Sequence, residues 1–210
     1  MAARVRRRLS CLALAGPALA ACGWTACGGS ATPARARPDP SAPRFGPAPG
    51  WRPPALSPAS AAGRSLGSLH CTRAFHPRLR AHLEIFVDGL DVLIPSGIGV
   101  AAPQRRDGAY VTGGSCSYPL RTSQPTGVVE IASRQRPTLG DLFDVWGQPL
   151  SLRRVLGFAT GPGRPLAVFV NGRRWRGDVR AVPLLRHASI VVELGRHVTR
   201  HPLYLFPAGQ

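Results

Sequence analysis

Apolar and polar positions divide the C-terminal two thirds of the chain into short strands and one helix. Residues 82–89 (HLEIFVDG) read as a strand that turns at Asp88-Gly89 and resumes at Val92-Leu93-Ile94. Residues 165–172 (PLAVFVNG) repeat the pattern, with the turn at Asn171-Gly172. Asp-Gly and Asn-Gly predict tight hairpins, because both central residues of such a turn take positive φ. The two segments align at Leu83/Leu166, Phe86/Phe169, Val87/Val170 and Gly89/Gly172. An internal duplication would give this alignment, but so would any two hairpins that each bury a face, which is the plainer reading. Strand alternation puts Glu84, Phe86 and Asp88 on one face and Ile85 and Val87 on the other. Val128–Ile131 and Ser189–Leu194 add strands, and the second is apolar enough to be central. The period changes at Leu139, Leu142, Phe143 and Trp146, spaced i, i+3, i+4, i+7 along one helical face. Thr138 is the expected N-cap, Asp141 nearly completes a capping box, and Gly147 is the stop. The expected fold is α+β: a small β-rich domain with two hairpins and one short helix, β-grasp-like in its specific form.

The N-terminal third has another character. Arg4, Arg6, Arg7 and Arg8 precede a short apolar stretch, Cys11 to Ala21, which is the order of a secretion signal. That stretch is shorter than the roughly 20 residues a membrane-spanning helix needs. It ends Leu19-Ala20-Ala21-Cys22, which resembles the lipobox of bacterial lipoproteins. The resemblance implies removal of residues 1–21 and acylation of the Cys22 thiol at the new N-terminus. The plain alternative is an ordinary signal peptide cut near Ala20-Ala21. Arg6-Arg7 touches on the twin-arginine export signal, but the rest of that motif is poor, so the route stays open. From Gly28 to Ser65 the chain is rich in Pro, Ala, Gly and Ser and has no apolar period. Such a segment buries too little surface to offset its chain entropy. Residues 22–68 are therefore expected to be a lipidated cysteine and a disordered, proline-stiffened tether. Residues 69–210 are the expected single folded domain.

Composition changes this picture little. The formal net charge is +17, and every one of the 27 basic residues is Arg. Nine of these lie in the signal and the tether. From residue 69 onward 18 Arg face 9 Asp and Glu, a balance of +9 spread without clusters. Scattered charge adheres to anionic lipid, phosphate polymers or nucleic acid without specificity, so no specific nucleic-acid partner is expected. Of the five cysteines, Cys11 leaves with the signal and Cys22 is the lipid site. Outside the cytoplasm disulfides persist, so Cys71 and Cys116, both in the folded part, are the expected bridge. Cys27 is left as an odd thiol in the tether. No Cys-x-x-Cys occurs, so a structural zinc site has no support.

Several blocks together are similar to an uncharacterised family of exported or lipid-anchored bacterial proteins. They are Arg80-Ala81-His82-Leu83 through Gly89, Pro95 to Gly99 (PSGIG), Cys116-Ser117-Tyr118, Thr138 through Leu150 (TLGDLFDVWGQPL), Phe169-Val170-Asn171-Gly172, Pro183 through His187, and Tyr204 through Gly209. They cover residues 80–209. Members carry His-x-His before Leu-x-Ile-Phe-Val, a Leu-His-Thr-His-Asp block, and Gly-x-x-His-Ile-Glu. Histidines on neighbouring strands suit copper or zinc. In this chain those positions read Arg80, Leu120-Arg121-Thr122-Ser123-Gln124 and Glu130-Ile131-Ala132. A guanidinium has no lone pair to offer, so Arg80 and Arg121 cannot be ligands. The resemblance thus implies a degenerate metal site. His76, His82 and His187 are the candidates left to gather around copper or zinc. Strand histidines are more often packed and hydrogen-bonded than ligating, and zinc sites use three or four protein ligands.

No nucleophile elbow, P-loop, His-Glu-x-x-His or Gly-x-Gly-x-x-Gly occurs, so no catalytic residue is nominated. Glu130 and Glu193, on strands, read as solvent-face carboxylates. The expected function is a non-enzymatic, lipid-anchored binding or interaction protein of the cell envelope, with the membrane and an unidentified envelope ligand as partners. It needs no cofactor. The alternative is a copper- or zinc-handling protein.

Overall fold

The computed structural model describes residues 58–132, 136–198, 201 and 203–207. The signal segment, Cys22, Cys27 and the tether as far as residue 57 lie outside the described residues. Among the described residues no helix is long and apolar enough to cross a membrane.

Among the described residues twelve strands and two α-helices follow one another in the order α1 (Pro58–Ala61), β1 (Leu79–Val87), β2 (Leu90–Asp91), β3 (Arg105–Asp107), β4 (Tyr110–Gly113), β5 (Leu120–Arg121), β6 (Val128–Ile131), α2 (Leu139–Trp146), β7 (Leu150–Ser151), β8 (Arg154–Val155), β9 (Phe158–Ala159), β10 (Leu166–Val170), β11 (Arg173–Arg174) and β12 (Ser189–Leu194), with one 3-10 turn at Val179–Ala181. The fold is a small β-rich α+β domain. Its main sheet runs β11-β10-β12-β1-β6-β5, with β2 beside β1. The first and last long strands, β1 and β12, lie parallel at its centre, His82 opposite Ser189 and Val87 opposite Leu194. β6 and β10 flank them antiparallel. A helix-bearing crossover between these two hairpins and a central parallel pair is the connectivity of a β-grasp sheet. β3–β4 and β7–β9 form two small satellite sheets.

Both predicted turns form. Asp88 and Gly89 have φ of 54° and 81°, and Asn171 and Gly172 have 50° and 76°. These are the positive values that favour Asp, Asn and Gly. The first hairpin closes earlier than the sequence suggests: its return strand is Leu90–Asp91, not 92–94. Val92 and Ile94 turn instead into the core. α2 matches its predicted bounds. Thr138 and Asp141 close a reciprocal capping box, and Gly147 ends the helix in the left-handed region at φ 76°.

The sheet has two covered faces. Ala81, Leu83, Ile85 and Val87 of β1, with Ile190, Val192 and Leu194 of β12, pack against Leu139, Leu142, Phe143 and Trp146 of α2. The even-numbered residues of β1 point the other way, as alternation requires. There Phe86, Val191 and Val198 form a second, smaller apolar cluster with Phe169.

The folded part also reaches further toward the N-terminus than the expected boundary at 69. Ser60 is buried and donates to the Val145 carbonyl at 2.5 Å, and Leu66 packs on the main core. Gly63, at φ +67°, sits so near the Cys71–Cys116 disulfide that a Cβ there would meet Cys116 Sγ at 2.7 Å.

Candidate functional site

The buried polar groups collect on the second face of the sheet. Strand alternation brings Arg80, His82 and Glu84 of β1 to the same side as Glu130 of β6 and Ser189 and Glu193 of β12. The C-terminal segment lies over this face. Its Tyr204 ring stacks on His82 with centroids 4.1 Å apart, and the Tyr204 amide donates to Ser189 Oγ at 3.1 Å. Phe206 stacks on His187 at 4.5 Å. Three polar groupings result.

The first surrounds a cavity of about 370 Å³ lined by His82, Glu84, Asp91, Leu93, Thr126 and Tyr204, among others. His82 donates through Nε2 to the Thr126 carbonyl at 2.9 Å, which leaves Nδ1 as a lone-pair acceptor. That atom and Glu84 Oε2 are buried and have no hydrogen-bond partner. Burial, and after it the neighbouring Asp91 carboxylate, pushes the Glu84 carboxyl up to about 7. Burial likewise raises Asp91, against the opposing Val92 amide, and lowers His82, against the Thr126 carbonyl. His82 Nδ1 lies 3.8 Å from Glu84 Oε1. That is too long for a hydrogen bond, and both groups favour their neutral forms, so the contact is not an ion pair. The cavity thus presents an imidazole acceptor and two protonatable carboxyls, with no arginine among its described lining residues.

The second is a charged triad. Glu130 of β6 accepts from Arg121 Nε at 2.8 Å and lies 3.6 Å from Arg80. Arg121 stacks over Phe75, its Cζ 3.9 Å from the ring centroid. Arg80, Arg121 and Glu130, which lie on three neighbouring strands, therefore meet in space. Glu130 is not a solvent-face carboxylate, because β5 and Arg80 cover it.

The third joins β12 to the C-terminal segment. Glu193 is 2% exposed. Its carboxylate accepts from His197 Nδ1 at 2.7 Å, from the Val198 amide at 3.0 Å and from His201 Nε2. One ligand-type atom from each of the three side chains lies within 4.8 Å of the others, the one such group among the described residues. Sequence reasoning passed over this trio. Glu193 read as a surface strand residue, and His197 and His201 belong to no regular element. The regular spacing Glu-x₃-His-x₃-His was the available signal.

The candidates nominated from sequence do not converge. His82 is buried under Tyr204. His187 is at φ 59°, donates its amide to the Arg80 carbonyl at 2.7 Å and stacks on Phe206. His76 is exposed on the stretch before β1. Among the described residues the three do not form a group of ligand-type atoms within 4.8 Å of one another. Cys71 and Cys116 are paired, with Cα atoms 5.5 Å apart, and are thus removed from any ligand set.

Compared with known proteins, the chain matches no family model, no curated protein and no solved structure.

Proposed function

We propose that this chain is a non-enzymatic binding protein, held at the cell envelope by a lipid on Cys22, whose ligand site is the cavity between β1, β2 and Tyr204. One observation carries the reading: His82 and Glu84, each with a buried side-chain atom that has no hydrogen-bond partner, are lining residues of one cavity. Native proteins satisfy nearly all buried polar atoms, so an exception needs a physical account, and a bound polar group is one that fits a cavity. The acceptors are His82 Nδ1 and the Glu84 and Asp91 carboxyls, beside apolar Val92 and Leu93. Their complement is a small ligand rich in donors, such as an amine or a guanidinium group. A copper- or zinc-handling role built on His76, His82 and His187 has no comparable support, since those three do not gather.

The test is calorimetric titration of the full chain in detergent micelles with putrescine and with guanidinium. Saturable binding weakened at least tenfold by Glu84→Gln supports the site, and no saturable binding of either probe overturns it. In the same expression cells, Cys22→Ser should move the chain from the membrane to the soluble fraction. An unchanged membrane fraction would remove the lipid anchor from the reading.

A further inference from the structure

The third grouping has the donor set of a metal site. Two imidazoles and one carboxylate suit zinc-class divalent ions. Glu193 is fixed by the central strand β12. His197 and His201 follow it at intervals of four on the segment that folds back over the sheet. Both histidine nitrogens already point at the carboxylate, and each needs only to pass its proton to the other ring nitrogen to offer a lone pair. The three side chains differ in access as well: Glu193 and His201 are nearly covered, whereas the His197 side chain is 59% exposed. A cavity of about 290 Å³, bounded by Glu193, His197, Phe169 and Arg174, lies beside them. It leaves room for solvent or an external ligand to complete the coordination shell. The Arg174 guanidinium lining it repels a bare dication and attracts an anion, so a small anion is a fitting additional ligand.

We propose that Glu193, His197 and His201 bind one divalent transition-metal ion of the zinc class, with at least one position open toward the cavity beside Arg174. The ion would clasp the C-terminal segment to β12 and thereby hold Tyr204 over His82. This site is separate from the amine cavity and does not depend on it.

The experiment is a Co²⁺ titration of the full chain, with the Cys22 and Cys27 thiols alkylated if they are free, followed by Zn²⁺ competition. Visible absorption reports the coordination. One Co²⁺ per chain, displaced by Zn²⁺, is expected, with affinity at least tenfold lower in His197→Ala and Glu193→Gln and unchanged in His76→Ala. The exposed His197 makes His197→Ala the variant least prone to unfold, and far-UV circular dichroism checks it. Bound Zn²⁺ should also raise Tm, as any ligand of the native state does. Absence of saturable uptake, or uptake that survives His197→Ala in a folded chain, overturns the site.

Discussion

Glu84 shows how one residue acquires chemistry from its surroundings. On an isolated strand its carboxyl would ionise near 4.5, but burial and Asp91 raise it to about 7. Because the folded value exceeds the unfolded one, the native state binds the extra proton between those values. The stabilisation is complete below about 4.5 and is lost as pH rises through about 7. Glu84→Gln should therefore raise stability at pH 8.5 by about 1–2 kcal/mol, reduced for partial solvent screening, and change it little at pH 4. Urea denaturation at the two pH values checks this, and equal effects at both would refute the assignment. The identity of Glu84 as an inward or outward carboxylate was legible in the alternation of β1. Its raised pKa was not, because Asp91 and the C-terminal segment that cover it are remote or lie across a turn. The burial of Glu193 was not legible either, because its partners His197 and His201 lie in a segment outside any regular element.

The elements that sequence pattern located are those whose bonding is local. α2 satisfies its first amides with Thr138 and Asp141 and its last carbonyls through Gly147, all within ten residues. Thr138→Ala should cost about 1 kcal/mol, the usual value of an N-cap side chain, read as a lower urea midpoint with unchanged slope. A loss below about 0.3 kcal/mol would mean that packing of Leu139, Phe143 and Trp146 alone holds the helix. Asp88-Gly89 and Asn171-Gly172 are local in the same sense, since the turn depends on two residues that accept positive φ. The satellite strands β3, β4 and β7–β9 are two to four residues long and too short to carry a period, which is why they were invisible in the sequence. The return strand β2 was misplaced because Val92 and Ile94 read as strand residues while the tertiary core claims them.

At the scale of the molecule, the Cys71–Cys116 bridge ties the strand-free entry to the domain to the stretch before β5 across a separation of 45 residues. In the chain-entropy picture a loop of that size is worth about 4 kcal/mol, with typical measured values of 2–4. The double variant Cys71→Ser/Cys116→Ser should lose that much stability in urea denaturation, and a loss under about 1 kcal/mol would show that packing against Gly63 and Tyr118 suffices. The bridge was expected from two cysteines in the folded part, whereas the packing of residues 58–68 around it was not. The sequence by itself determined the α+β class, the two turns, the helix and its caps, and the centrality of β12, because each follows from periodicity or from side chains bonding their own backbone. Tertiary structure alone decided the parallel pairing of β1 with β12, more than 100 residues apart, which no local pattern encodes. It also decided which polar residues meet: Arg80, Arg121 and Glu130 in one cluster, His82, Glu84 and Asp91 in a second, and Glu193, His197 and His201 in a third. Such meetings are fixed by strand register and by the path of the C-terminal segment, and those depend on burying apolar surface across the whole chain.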